Sequence, residues 1–285
     1  MYKGSHTMSW ILIVLIFLAA GAFMFLAIQY SPTEDSYHQT VHERIRAEPG
    51  DLGVFTSEDL EGLPAAVRKY FYYCGYVGCP KMTHMQAYFS DVDFVMSENK
   101  TIKINYKQFN STLRPERFAY ISSSLACIPF EGLDFFGDGK GSMRGVLGKV
   151  IPLFNQQGLN MDRACLVTWL AECLLVPTAA LQEFIRWEEI DETHVQATVS
   201  WGELSVGGLF SFSDSGELLS FRTSDRTAVD MDGKETHADW SALFSEYRVM
   251  NGLMQPTVLE SVWHYNTGDI TYFNKNKSKV SICYQ

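Results

Sequence analysis

Glu172 stands inside the apolar run MDRACLVTWLAECLLV, residues 161–176, where a carboxylate carries a large desolvation cost unless something pairs with it. Two chemistries follow. Left unpaired, it would be a proton donor or acceptor with a raised pKa, and with Arg144 it would form the centre of an enzyme. Paired with a buried arginine, Arg144 or Arg186, it would instead tie its helix to a sheet, and this structural reading weighs more because ion pairs also perturb core carboxylates. Trp169, Trp187 and Trp201 are neighbours in sequence whose rings could stack on a ligand, although indoles in such settings more often fill a core. Arg144, Trp169, Glu172, Trp187 and Trp201 are therefore the candidate ligand-binding residues. No catalytic residue, metal site or cofactor is expected.

Three further constellations are weaker. The stretch FGDGKGSMRG, residues 136–145, has the glycines of an anion-cradling loop, but Gly141 follows Lys140 where a phosphate loop needs Ser or Thr, so a tight turn is the better account. His38 and His42 share a helical face beside Glu43, yet they lack a third ligand and lie in a polar segment. The chain has six cysteines without metal-ligand spacing. Cys74 and Cys79 could close a small loop disulfide if the body lies outside the cytoplasm, whereas Cys165 and Cys173 read as small buried hydrophobes. No nucleophile elbow, Cys and His signature or dinucleotide fingerprint appears.

The elements that must hold these residues follow from periodicity. Leu63, Val67, Tyr70 and Phe71 recur at helical spacing, opened by Pro64 and stopped by Gly75. Thr56-Ser57-Glu58-Asp59 has the form of a capping box. After Pro80 the period falls to two. Ser90, Val92, Phe94 and Met96 fit one strand, and Ile102, Ile104 and Tyr106 alternate with polar residues in the next. Val195, Ala197, Val199 and Trp201 mark another, followed by strands at 204–212 and 218–223. Turn residues punctuate them at Asp214-Ser215-Gly216, Asp232-Gly233, Asn251-Gly252 and Thr267-Gly268. The pattern is an antiparallel meander. The run 161–176, ending at Pro177, is apolar nearly all round and predicts a buried helix. The fold class is α+β: a curved, half-open antiparallel sheet wrapped on that helix.

Residues 10–28, WILIVLIFLAAGAFMFLAI, hold no charge and are long enough to cross a bilayer. A cleaved signal peptide is the rival, with small residues at Ala20-Gly21-Ala22, but the apolar run continues past that site. Residues 1–9 are then a tail, 10–28 a single-pass transmembrane helix, 29–55 a juxtamembrane linker or short helix, and 56–285 one body domain. Arg44 and Arg46 outnumber Lys3, which opposes an external body, yet long domains translocate largely regardless of such differences, and the body is expected outside the cytoplasm. A net charge of −10, with no basic stripe, excludes a nucleic-acid partner.

The motifs Leu63-Pro64-x-x-Val67-Arg68-x-Tyr70, Gly141-Ser142-Met143-Arg144-Gly145, Trp169-Leu170-Ala171-Glu172 with Pro177-Thr178-Ala179, and the strand pair over 195–212 together resemble a bacterial family known as a domain of unknown function. The likeness covers residues 58–270 and implies an N-terminal membrane segment but no reaction. The Cys74 and Cys79 pair departs from that pattern. The architecture also resembles the lipoprotein-carrier fold of periplasmic and cell-surface lipid handlers, which raises a lipid-binding function by analogy. Three readings result. The first is a membrane-tethered protein binding an apolar ligand such as a lipid or acyl chain. The second is an enzyme centred on Glu172 and Arg144, and the third a structural or interaction domain of the envelope. An apolar cavity would favour the first, a solvent-reachable Glu172 the second, and a filled interior the third.

Overall fold

The computed structural model describes residues 4–97, 100–229 and 234–285. The turn expected at Asp232-Gly233 lies outside them. Helix α1 (Gly4–Ala27) comes first, with an 18-residue window of mean hydropathy 3.0 and none of it buried. It is long and apolar enough to span a membrane. Helix α2 (Pro32–Ala47) starts at Ser31, whose hydroxyl accepts the Glu34 amide, with Pro32 in the first turn. Its composition is polar, but Tyr37 and Val41, four residues apart, bury one stripe against Phe109, Phe118 and Tyr120 of the sheet. Lys107 to Glu34 at 2.6 Å and Arg44 to Glu116 at 3.0 Å flank that stripe. Helix α3 (Ala65–Cys74) carries Val67, Tyr70 and Phe71 of the expected periodic residues, with Leu63 just before it, and ends at Gly75, whose φ of +77° permits the left-handed cap.

Six strands then form a meander: β1 (His84–Ser97), β2 (Lys100–Ser111), β3 (Arg117–Leu125), β4 (Ile128–Gly137), β5 (Lys140–Leu147) and β6 (Ile151–Gln157). Helix α4 (Leu159–Glu172) and a 3-10 turn (Pro177–Leu181) follow. The second run holds β7 (Ile185–Glu189), β8 (His194–Trp201), β9 (Leu204–Phe212), β10 (Leu218–Thr223), the hairpin β11 (Thr227–Val229) and β12 (Glu235–His237), β13 (Asp239–Met250), β14 (Leu253–Tyr265), β15 (Gly268–Phe273) and β16 (Val280–Tyr284). Among the described residues the sheet runs β6-β5-β4-β3-β2-β1-β15-β14-β13-β10-β9-β8-β7. Strand β1 is shared: β16 pairs with it over Met85 to Phe89, and β15 joins further along at Phe94. A bulge between Phe89 and Val92, with Asp91 at φ +55°, separates the two stretches.

The sheet is curved and open, because its edge strands β6 and β7 do not pair with each other. Helix α4 connects those two edges and lies on the concave face, as expected of an apolar helix. It ends at Glu172, not at Val176. Pro177 forces Val176 out of the helical region, to φ −124° and ψ 72°, and the chain turns before reaching it. Leu174, Leu175 and Val176 are still fully buried, so the apolar run outlasts the helix.

The glycine-rich stretch is the β4–β5 hairpin. Gly137 pairs with Lys140 across Asp138 and Gly139, whose φ values of +52° and +75° are those of a two-residue hairpin turn. All six cysteines are free, Cys74 and Cys79 included. His38 approaches Glu34 at 3.7 Å, and the described residues hold no cluster fit for a metal.

His84 supplies a pH test of the core. It is 2% exposed, its Nδ1 lies 3.0 Å from Thr83 Oγ1, and its Nε2 has no partner among the described residues. Burial holds its pKa below the ordinary 6.5. Above 6.5 neither state is protonated and the group is neutral to stability. As pH falls through 6.5 the unfolded chain takes up a proton that the folded chain refuses, so stability declines. The urea midpoint of His84→Gln, followed from above to well below 6.5, should fall less steeply than that of the parent; parallel slopes would contradict this account.

Candidate functional site

Strand alternation builds one polar cluster on the concave face. Tyr106, Gln108 and Asn110 are every second residue of β2 and point the same way, while Arg117 faces Asn110 across the β2–β3 ladder. Glu172, at the end of α4, reaches down to them. Its Oε2 accepts from Gln108 Nε2 at 2.7 Å, Asn110 Nδ2 at 2.8 Å and Arg117 Nε at 3.0 Å. Arg117 also donates to Asp134 of β4 at 2.7 Å, to the Tyr106 hydroxyl at 2.6 Å and to Gln108 Oε1 at 3.2 Å. Its side chain is 6% exposed. Burial opposes the guanidinium charge, but the carboxylates of Glu172 and Asp134 outweigh it and hold Arg117 protonated well above its ordinary value. Burial pushes the Tyr106 phenol up, so it remains a neutral hydroxyl.

The partner of Glu172 is thus Arg117, not Arg144 or Arg186. Arg186 is largely exposed, 3.7 Å from Glu188. Arg144 follows Met143 on β5, and alternation sends the two to opposite faces. An enzyme centred on Glu172 and Arg144 therefore lacks its pairing. Trp169 is buried, with its indole N–H donating to Ser111 O at 3.1 Å. Phe184 bridges it to Trp201, with ring centroids 5.8 Å and 5.2 Å apart, and Trp187 packs on Phe210 at 5.5 Å. These rings belong to the core or pack against it.

A cleft of about 840 Å³ opens beside α4, along the helical face whose last turn carries Glu172. Met161, Ala164, Cys165 and Thr168 of α4 form one wall. The inward residues of β1 to β6 form the opposite wall, among them Ile104, Ile121, Phe130, Met143 and Phe154. Trp263, Tyr265 and Tyr272 close a third side, with the β11–β12 hairpin over them. Arg144, Trp169, Glu172, Trp187 and Trp201 do not line it. The network touches it only through Asp134, whose Oδ1 accepts from Cys165 Sγ at 3.8 Å. Arg226 is one cation of the wall, with Lys234. Its guanidinium lies over the rings of Trp240 and Trp263, 4.6 Å and 5.5 Å from their centroids, and donates to Thr168 Oγ1 at 3.0 Å.

Sequence reasoning did not single out Arg117, Asp134, Arg226 or the cleft-lining aliphatics. Arg117 and Asp134 did carry a signal: each is a charge within an apolar strand segment, RFAYI and GLDFF, as Glu172 is within its helix.

The model of a family described as a family of unknown function (DUF6544) matches residues 53–275, in keeping with the motifs noted between 58 and 270. No curated protein matches the chain. Among solved structures, the crystal structure of the LolA superfamily protein NE2245 from Nitrosomonas europaea is 10% identical, with a TM-score of 0.39, covering 82% of this chain and 94% of that one. The fold described above rests on its own strand order and register.

Proposed function

Since that match spans well over half its length, the chain belongs to the family of unknown function DUF6544, and from its geometry we propose that it is a membrane-tethered protein that holds an apolar or amphipathic small molecule, such as a lipid or acyl chain, in the cleft beside α4. The observation that carries this reading is the cleft itself. Ligand sites are concave, mostly apolar and equipped with a few polar groups, and a volume of about 840 Å³ lies within their usual range. Here the polar groups include Asp134, Thr168 and Arg226. Arg226 lies over two paired rings, which fixes its guanidinium as an orienting group for a polar head.

Helix α1 remains on the working protein in this reading, supported by the contact its last turn makes with the body. Lys149, in the β5–β6 turn, donates to Ile28 O at 2.5 Å and Phe25 O at 3.4 Å. The body lies outside the cytoplasm in the same reading. Arg44, the nearer charge against that orientation, is engaged by Glu116.

Native mass spectrometry of the detergent-extracted chain tests the function. The parent should carry an added mass in the range of a lipid or fatty acid. Ala164→Trp, which fills the cleft from α4, should lose that mass while the thermal midpoint stays within a few degrees. A parent that flies bare and takes up no added fatty acid would sink the proposal.

A further inference from the structure

The β3–β4 and β5–β6 turns stand at one end of the sheet, and α1 ends against them. Gly148 marks the junction: a Cβ built on it would lie 3.6 Å from Ile128 Cγ2 and 3.7 Å from Leu26 Cδ2. The last carbonyls of a helix have no partner within it, and those of α1 are met by the Lys149 ammonium, which also lies 5.9 Å from the Phe25 ring centre. The anchor is therefore seated on these turns.

The surface around that junction is apolar without being core. Val150 is 59% exposed, Ile151 56% and Ile128 38%, with Cys127 exposed between the strands. Polar residues would cost nothing at such positions in water, so a grouped apolar tip asks for something to cover it.

The cleft reaches the same end. Ile128 pairs with Leu125, Phe130 with Leu147, and Leu147 in turn with Ile151. Phe130, two residues from the exposed tip, lines the cleft. On the neighbouring strands the cleft is lined by the paired residues Phe94 and Ile102, near the last residues of β1 and the first of β2, and by Asn266 and Thr267 of the β14–β15 turn. The register places these strand ends and the described turns at one end. The opposite end carries the β4–β5 turn, the first residues of β1 and the Cys283 strand that pairs with them.

The geometry points to a second membrane contact: the turns 126–128 and 148–151 enter the bilayer surface in which α1 is anchored, and this holds the mouth of the cleft at the lipid interface. The occupant of the apolar tip is the bilayer itself. An apolar ligand then passes between leaflet and cleft without crossing bulk water, and exposed Ile and Val side chains gain by burial in the acyl boundary. This inference rests on the readings of α1 as an anchor and of the cleft as a ligand site.

The native cysteines provide the probes. Cys127 sits in the tip and Cys283 at the far end, both exposed, while Cys74, Cys165 and Cys173 are buried and resist labelling, the Cys74 thiol being pushed up to about 12 by burial. In the full chain reconstituted into phosphatidylcholine vesicles, an environment-sensitive fluorophore on Cys127, with Cys79→Ser and Cys283→Ser, should shift to the blue. It should also lose most of its emission to lipids carrying a quencher high on the acyl chain. The same fluorophore on Cys283, with Cys79→Ser and Cys127→Ser, should do neither. Val150→Asp with Ile151→Asp should abolish the Cys127 quenching. A third probe, on Ala20→Cys with all three accessible cysteines replaced by serine, reports the anchor alone. Quenching at position 20 with water-like emission at Cys127 overturns the second contact and leaves the anchor standing. No quenching at either position overturns both. A Cys127 shift that tracks protein density and not quencher lipid means that a second copy covers the tip, which also overturns the inference. The cleft reading is judged separately, by the co-purifying mass.

Discussion

Replacing Arg117 with Met should cost the protein about 3 to 5 kcal/mol, the usual consequence of removing one partner from a buried ion pair. Two carboxylates depend on this guanidinium. Glu172 is 3.0 Å away and Asp134 2.7 Å away, and without Arg117 they are left as like charges in a poorly solvated pocket. Glu172→Ala should cost less, because Arg117 keeps Asp134, Tyr106 and Gln108. Glu172→Gln should be milder still, since the amide retains an acceptor oxygen for the three donors. The double variant Arg117→Met with Glu172→Met should recover part of the loss, because the charge stranded on α4 has been removed together with its partner. Urea unfolding of the full chain in detergent gives each midpoint. A parental midpoint for Arg117→Met would show that the cluster does not hold α4 to the sheet.

That network shows where the sequence was legible and where it was not. A carboxylate in an apolar helix announces that it needs a partner, and Glu172 was readable on that ground. Which arginine answers is a matter of topology: Arg117 lies 55 residues away, on a strand that reaches Glu172 only because α4 folds back over the concave face. Local structure is legible wherever one face is wet, as in the first half of β2 and in β8 to β10, since alternation there is enforced by water on one side. It was read less well where everything is buried. The end of α4 could not be seen because Leu174, Leu175 and Val176 stay in the core after the helix has stopped. The packing of α2, expected as a short helix, on the sheet was hidden for the opposite reason. Its buried stripe is only Tyr37 and Val41 with Thr33, too narrow to stand out in a polar segment. The cleft has no motif at all, because its wall is assembled from alternate residues of many strands, none unusual in its own segment.

Gly141→Ala should destabilise the protein and disturb the cleft together, because this glycine sets how closely α4 approaches β5. A Cβ there would lie 2.6 Å from Met161 O and 2.9 Å from Cys165 Sγ, both inside van der Waals contact. The nearest atom belongs to the helix backbone, so no rotamer change relieves it and α4 itself must move. The helix is also pinned at this point. Asp162, buried in the first turn, accepts the Gly141 amide at 2.7 Å and the Lys140 ammonium at 3.2 Å. A methyl group therefore separates a hydrogen-bonded pair of elements, and overpacking of this kind costs about 1 to 3 kcal/mol. Because Met161, Ala164, Cys165 and Thr168 ride on the same helix, the wall of the cleft shifts with it, and the co-purifying mass should weaken beyond what the stability loss explains. Adding Cys165→Ala removes the sulfur contact but leaves the carbonyl in place, so it should not rescue Gly141→Ala. A thermal midpoint for Gly141→Ala equal to the parent's, or full rescue by Cys165→Ala, would mean that α4 is not held against β5 as closely as the Gly141 contact requires.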